Sequence, residues 1–350
     1  MSRPDILRAA ARARLLADAG WGGARMEPLA GDASFRSYLR LRRPDGASAV
    51  LMDAPPPAED TRPFLAVARL LAGLGLSAPA ILAADPQAGF VLLEDLGDAT
   101  YGALLGAAPP QAAEVDLYAA AVDVLVRLRG AALPASVPMV PDEPWRLPPF
   151  GPAFAANAEL LLDWYLPAVG MSVDEAVRAE FAAAWAAIAP AALAGPAVLM
   201  MRDYHAGNLI WLPGRAGLAR VGLLDFQDAT LGPAAYDLVS LLQDARRDVA
   251  PALEAAMIAR YVAACTGEAG FDEQGFRTAY AALGAQRNTR ILGVFVRLAR
   301  RDGKPAYLAL LGRVWGLLER DLAHPALAPV AAWFDRHLPA DRRAGLSVTP

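Results

Sequence analysis

The chain is 350 residues long, enough for two subdomains with substantial cores, and 55% of it is hydrophobic, much of that alanine. A net charge of −4 with no basic tract offers little to a polyphosphate backbone, so no nucleic-acid partner is expected. One cysteine, Cys265, and three histidines exclude a disulfide scaffold and a zinc framework within one chain.

Ser2–Ala19 reads as an amphipathic helix, with Ile6, Leu7, Ala10, Ala13 and Leu16 on one face. Its charges do not suit a secretory leader, so a cytoplasmic protein is expected. Three segments of strand character follow: Ala24–Leu29, Ser37–Arg42 and Ser48–Asp53. Gly31-Asp32-Ala33-Ser34-Phe35-Arg36 joins the first two, and Pro44-Asp45-Gly46 the last two. Beyond Pro55-Pro56-Pro57 the pattern gives a helix over Thr61–Leu74, then strands at Ala80–Ala83 and Phe90–Glu94. Gly73-Leu74-Gly75-Leu76-Ser77-Ala78 has glycine spacing like a dinucleotide-binding turn. It follows a helix instead of a strand, so it reads as a glycine-capped helix end.

Glu94-Asp95-Leu96-Gly97-Asp98 ends the last strand, and helices dominate from Tyr101 onward. The expected division is therefore an N-terminal domain over 1–94, a connector over 95–100 and a helical domain over 101–350. Ala132–Phe154 is rich in proline, a long irregular excursion of the kind that often carries function. Glu159–Tyr165 reads as helical, its polar residues either lining a substrate pocket or forming a solvated face. Phe181–Met201 carries no charge, but Pro190, Gly195 and Pro196 interrupt it and alanine contributes little insertion energy. A helix ending near Ala189 and a strand Ala197–Met201 explain it better than a membrane span, and no membrane partner is expected. Cys265, in an Ala-rich helix, reads as a small core residue. Gln286–Ala299 and Pro305–Leu322 are the clearest of the later helices.

The most informative run is Met201-Arg202-Asp203-Tyr204-His205-Ala206-Gly207-Asn208-Leu209, followed by Val221-Gly222-Leu223-Leu224-Asp225-Phe226. Asp203 and Asn208 share a loop, and Asp225 ends a short apolar strand. Pro213-Gly214 and Gly217 between them can turn the chain into a hairpin. Phosphoryl transfer needs one carboxylate to orient and deprotonate a hydroxyl, and an amide oxygen and a second carboxylate to hold Mg²⁺. Asp203 is the candidate catalytic residue; Asn208 and Asp225 are the candidate metal ligands, with ATP and Mg²⁺ as cofactors. Each residue alone would read as a turn cap. Together they favour catalysis. Lys304 is the single lysine, the other basic residues being arginine, and Pro305 follows it, so a Walker A loop is excluded.

These motifs resemble the aminoglycoside phosphotransferase and choline kinase superfamily of small-molecule kinases. The resemblance rests on the strand–glycine-loop–strand start, Leu92-Leu93-Glu94-Asp95-Leu96-Gly97, the Asp203…Asn208 loop, Asp225, and Gly232-Pro233…Asp237-Leu238. It implies an α+β, bilobal protein-kinase-like fold: a small lobe with an antiparallel sheet plus helix, and a large, mostly helical lobe. More narrowly the chain is similar to the bacterial anomeric kinases of N-acetylmuramate and N-acetylglucosamine in cell-wall sugar recycling. Gly31–Arg36, Leu51-Met52-Asp53-Ala54-Pro55-Pro56, Arg202–His205, Asp225–Ala229 and Gln286–Phe295 carry that closer match. Two departures stand out. Met201 occupies a position where many relatives have histidine, and Met52 the position of a third-strand lysine that contacts ATP phosphates. Either an arginine, Arg36 or Arg40 being the nearest candidates, supplies the charge, or Mg²⁺ and loop amides suffice.

The resemblance also implies that Ser34, Phe35 and Arg36 of the glycine loop, and Glu94 and Leu96 at the connector, bind nucleotide. His205, Gln227, Glu159, Arg287 and Arg290, with Asn288, are candidates for contacting a small amino-sugar substrate. An arginine would suit the lactyl carboxylate of N-acetylmuramate. A solvated helix face would account for the α-helical members equally well, and a hydrogen bond within the loop for His205. Asp237 is expected to anchor the catalytic loop through backbone N–H groups. A kinase for another small alcohol (aminoglycoside, choline or homoserine) and a nucleotide-binding pseudokinase remain alternatives, and the protein is expected to be a monomer.

Overall fold

The computed structural model describes residues 3–29, 35–107, 109–139, 143–268 and 270–343, with the side chains of residues 3–6 and of Ala153 left aside. In chain order its elements begin with α1 (Arg3–Asp18), β1 (Arg25–Leu29), β2 (Ser37–Arg42), β3 (Ser48–Asp53), α2 (Arg62–Gly73), β4 (Ile81–Asp85) and β5 (Phe90–Glu94). Next are α3 (Tyr101–Gly106), α4 (Gln111–Arg129), α5 (Ala153–Ala158), a π-helical turn (Leu161–Tyr165), α6 (Leu166–Ala168) and α7 (Glu175–Ala192). Strands β6 (Ala197–Met200), β7 (Leu209–Trp211), β8 (Val221–Leu223) and β9 (Thr230–Pro233) precede α8 (Ala235–Leu242) and α9 (Pro251–Cys265). Helices α10 (Glu273–Arg300), α11 (Leu311–Leu322) and α12 (Ala328–His337) end the list.

The described residues form two compact units. One takes the chain up to Val124, with Pro134–Leu147 and Gly207–Ala229; the other takes Leu125–Leu133, Pro148–Ala206 and the chain from Thr230.

The first unit is built on an antiparallel sheet of order β1-β2-β3-β5-β4. Its register aligns Leu39 with Leu51 and Leu51 with Leu92, so period-two alternation places these side chains in one row on one face. Leu16 of α1 and Trp21 close over that face with Leu41, Ala49, Leu51, Phe90 and Leu92. Each large side chain so buried contributes about 1.5–3 kcal/mol. Arg8 fastens α1 to the sheet: it donates to Ala88 O at 2.6 Å, pairs with Asp53 and lies 4.4 Å over the Phe90 ring. The glycine-capped helix end is present. Leu76 N–H donates to Leu71 O and Gly75 N–H to Ala72 O, with Gly75 at φ +77°.

In the second unit α10 is the central post, packed by α5, the π turn, α7, α8 and α11. Among the described residues no helix is long and apolar enough to cross a membrane.

Five sequence expectations need correction. The helix expected to stop near Ala189 runs to Ala192, with Pro190 inside its last turn. Glu159–Tyr165 is not a plain α-helix, because Leu161–Tyr165 forms a π turn. The strand expected at Ala80–Ala83 lies at Ile81–Asp85, with an irregularity in its pairing between Ile81 and Ala83. Helix α10 begins at Glu273, where Asp272 caps it by accepting from Gln274 N–H, well before Gln286; and Pro305–Leu310 is 3₁₀, not α. Cys265 is buried at the end of α9, as a core residue would be, and burial pushes its thiol up.

Candidate active site

In the second unit, β6 pairs antiparallel with β9 and delivers the chain to Met201. Asp237, buried on α8, accepts from Met201 N–H (2.6 Å) and Arg202 N–H (2.8 Å), one to each carboxylate oxygen. That clamp holds Arg202 in a left-handed conformation, φ 69°, immediately before Asp203. Among the described residues Arg202 and Asp225 are the non-glycine residues at positive φ. Such backbone costs of order 1 kcal/mol or more, and persists where surrounding bonds over-determine it. Asp203 N–H donates to Met201 O (2.8 Å) and His205 N–H to Asp203 O (3.1 Å), so the loop is tightly coiled. Tyr204 and His205 point inward and Asp203 stays partly exposed. Burial raises the Asp237 carboxyl to about 7, opposed by the two N–H donors. His205 Nε2 lies 3.4 Å from Arg246 Nη1, which makes it part of the loop's packing.

In the first unit, β7 and β8 form the expected hairpin, pairing Leu209 with Leu223 and Trp211 with Val221. This register sets Asn208 opposite Leu224, whose N–H donates to Asn208 O at 3.0 Å, and so fixes Asn208 beside Asp225. Asn208 Nδ2 is 3.4 Å from Asp225 Oδ2, and Gln227 Nε2 donates to Asp225 Oδ1 at 2.8 Å. Asp225 has φ 56° and a one-third exposed side chain, while the next residue, Phe226, is fully buried and stacks on Phe64 of α2 at 4.9 Å. One carboxylate and one amide oxygen fit Mg²⁺, which takes few protein oxygens alongside phosphate and water.

Arg36 reaches the same carboxylate, with Nη2 3.8 Å from Asp225 Oδ1 and Nε 3.8 Å from Glu59 Oε2. Glu59 also accepts from Phe35 N–H at 3.1 Å, although the Phe35 ring itself is exposed. Sequence reasoning missed Glu59; an acidic residue just ahead of the helix between the third and fourth strands was the available signal. Ser34 lies outside the described residues.

At the connector, Glu94 pairs with Arg215 at 2.5 Å, and Leu96 packs against Gly222, where an added Cβ would sit 3.1 Å from Leu96 Cδ1. Arg40 is committed elsewhere: Nη1 and Nη2 donate to Asp98 at 2.8 and 2.7 Å, and Nη2 to Asp95 at 3.1 Å. Met52 is core, set between Tyr38 and Val91 in the sheet.

Of the remaining candidates in the second unit, Glu159 and Asp163 both pair with Arg178, at 3.3 and 2.8 Å. A solvated helix face does not describe Arg287 and Asn288, which are buried. Arg287 donates to Gln243 O at 3.2 Å, and Asn288 Nδ2 to Gln243 Oε1 (2.8 Å) and Asp321 Oδ2 (3.1 Å). Burial depresses the Arg287 guanidinium, with Asp203, Asp244 and Tyr236 opposing that shift. Arg290 is half-buried. It shares a helix face with Gln286, Gly293 and Arg297, the face on which Gly293 touches the Leu160 carbonyl and leaves no room for a Cβ.

A family model described as "Phosphotransferase enzyme family" (APH) matches residues 25–274. The chain belongs to that family. Among relatives of this phosphotransferase, the N-acetylmuramate/N-acetylglucosamine kinase of Caulobacter vibrioides is 43% identical, covering 96% of this chain and 98% of the relative. The kinase of the same name from Pseudomonas aeruginosa is 36% identical over 88% of each. Among solved structures, the amicoumacin kinase hAmiN in complex with AMP-PNP, Ca²⁺ and Ami superposes at TM-score 0.60 with 15% identity, covering 91% of this chain and 96% of that one. The fold is therefore the α+β, kinase-like one, and the protein is a small-molecule kinase of the APH family.

Proposed function

We propose that this APH-family phosphotransferase moves the γ-phosphate of ATP to the anomeric hydroxyl of N-acetylmuramate, N-acetylglucosamine or both, in cell-wall sugar recycling. The observation that carries the choice of sugar is the 43% identity, over nearly the whole length of both chains, to a kinase named for those two sugars. Asp203 orients the hydroxyl and accepts its proton as the O–P bond forms. An anomeric hydroxyl is more acidic than an ordinary alcohol, so positioning by the clamped loop matters more than strong basicity. Asn208 and Asp225 hold Mg²⁺, which when bound offsets charge on the phosphates. Residues 95–100 act as the hinge; backbone groups there take the adenine base, and Glu94, Leu96, Ser34, Phe35 and Arg36 bind the nucleotide.

Arg290 is the residue for the lactyl carboxylate, since Arg287 and Asn288 are spent on buried partners. Gln227 and His205 act from within their loops, and Glu159 from the rim. The acidic pair Glu159 and Asp163 is already matched by Arg178, which argues against a cationic aminoglycoside or amino alcohol at that place. A cytoplasmic monomer with no nucleic-acid or membrane partner completes the reading. Release of ADP measured against a panel of N-acetylated sugars, free sugars, choline, homoserine and aminoglycosides tests it. Turnover confined to the N-acetylated sugars is the expected result, and preference for an amino alcohol or aminoglycoside contradicts it.

A further inference from the structure

A protein cation beside the metal strengthens the grip on nucleotide phosphates, and no lysine occurs anywhere in the first unit. The arginines there divide by what they hold. Arg40, Arg43, Arg62 and Arg215 each close on a carboxylate at 2.5 to 2.7 Å, all at the connector or in local turns. Arg36 lies between two carboxylates, 3.8 Å from each, and one of those is the Asp225 that ends the β7–β8 hairpin. Its side chain is 13% exposed, against 33% for Asp225, so the pair is not a solvated surface contact. It emerges at the start of β2, directly from the loop between the first two strands.

We propose that Arg36 is the phosphate-gripping cation of this kinase, held on its other side by Glu59, and that it takes over from the lysine absent at Met52. The inference rests on the kinase reading and adds a residue to it. A guanidinium presents a planar fork that matches two phosphate oxygens, which a lysine cannot do. Glu59 fixes the Nε side, leaving the Nη side toward Asp225. With the charge supplied from β2, position 52 is free to carry an apolar side chain, and Met52 is accordingly buried in the sheet.

The arrangement has a signature that a purely structural arginine would lack. Without nucleotide, Arg36 neutralises Asp225 and opposes a divalent ion there. With nucleotide, Arg36 and the metal act on the same phosphates. Binding of Mn²⁺ alone, followed by water-proton relaxation, and of Mg·ADP, followed by calorimetry, should therefore respond in opposite directions. In Arg36→Ala, Mg·ADP affinity falls by about 10- to 100-fold, the scale of a charge-assisted hydrogen bond, while Mn²⁺ alone binds at least as tightly as in the native protein. Arg36→Lys, which keeps the charge and loses the fork, gives an intermediate loss and serves if the alanine variant folds poorly. Glu59→Gln lowers Mg·ADP affinity by a smaller factor. Mg·ADP affinity within twofold of native in both Arg36 variants overturns the proposal, as does a parallel weakening of Mn²⁺ and Mg·ADP. Absence of Mg·ADP binding by the native protein would instead remove the kinase reading beneath it.

Discussion

Four aspartates of this chain fall into two pairs that chemistry alone would not separate. Asp203 and Asp225 are partly exposed, one directly after a left-handed residue and the other left-handed itself. Asp237 and Asp321 are buried in the second unit and are spent on holding structure. The first accepts two backbone N–H groups at 2.6 and 2.8 Å; the second accepts from Gln243 Nε2 at 2.8 Å and Asn288 Nδ2 at 3.1 Å. Asp225, by contrast, is one-third exposed; its partners include Gln227 Nε2 at 2.8 Å, Asn208 Nδ2 at 3.4 Å and Arg36 Nη2 at 3.8 Å, all side chains. A carboxylate meant for a metal keeps some exposure and side-chain partners that can move away. One meant for the fold has its oxygens matched before any ligand arrives.

The largest effect should come from the exposed pair. Asp203→Ala should lower kcat by about 10³- to 10⁴-fold with Mg·ADP affinity and melting temperature close to native, measured by steady-state kinetics and calorimetry. Loss of stability in step with activity would move Asp203 into the structural class. Asp237→Ala reverses the pattern. It strands two buried N–H donors, so it should cost about 2–4 kcal/mol in denaturant unfolding, with activity falling because the loop is no longer clamped.

Burial, opposed by its amide partners, raises the Asp321 carboxyl to about 8 from an ordinary value of 3.8. A raised value means that the folded state holds a proton the unfolded chain has released. The stability owed to this group is therefore full below about pH 4 and is lost as pH rises toward 8. Asp321→Asn should flatten the fall of melting temperature across that window; an unchanged slope would show that Asp321 is ionised in the fold.

The smallest effect is one of selectivity. Arg290→Ala should lower kcat/KM for N-acetylmuramate by about tenfold while sparing N-acetylglucosamine, as expected for one charge-assisted contact. Equal losses on both sugars would remove Arg290 from carboxylate recognition.

Much of this division was legible in the residues. The strand character of Ser37–Arg42, Ser48–Asp53 and Phe90–Glu94, apolar and β-branched runs broken by turn residues, located three strands to the residue. The hairpin between Asn208 and Asp225 was readable from Pro213-Gly214 and Gly217, and its register then fixed the two side chains together. What the residues could not carry was long-range. Glu59 acquires its role from Arg36, a partner on another element. Arg287 and Asn288 look like a polar helix face until Gln243 and Asp321 are placed against them. The π turn at Leu161–Tyr165 depends on one backbone carbonyl step that side-chain spacing does not record, and the Ala-rich start of α10 has too little contrast to show a face.

Under the proposed function, the partly exposed aspartates serve transfer of phosphate to a sugar's anomeric oxygen. Phosphorus NMR of the product formed from N-acetylmuramate, ATP and Mg²⁺ tests it most directly. The account predicts a sugar 1-phosphate, with the phosphorus coupled to the anomeric proton, formed by the native protein and absent with Asp203→Ala. A phosphate on any other hydroxyl, or the same product from the Asp203 variant at native rate, would contradict it.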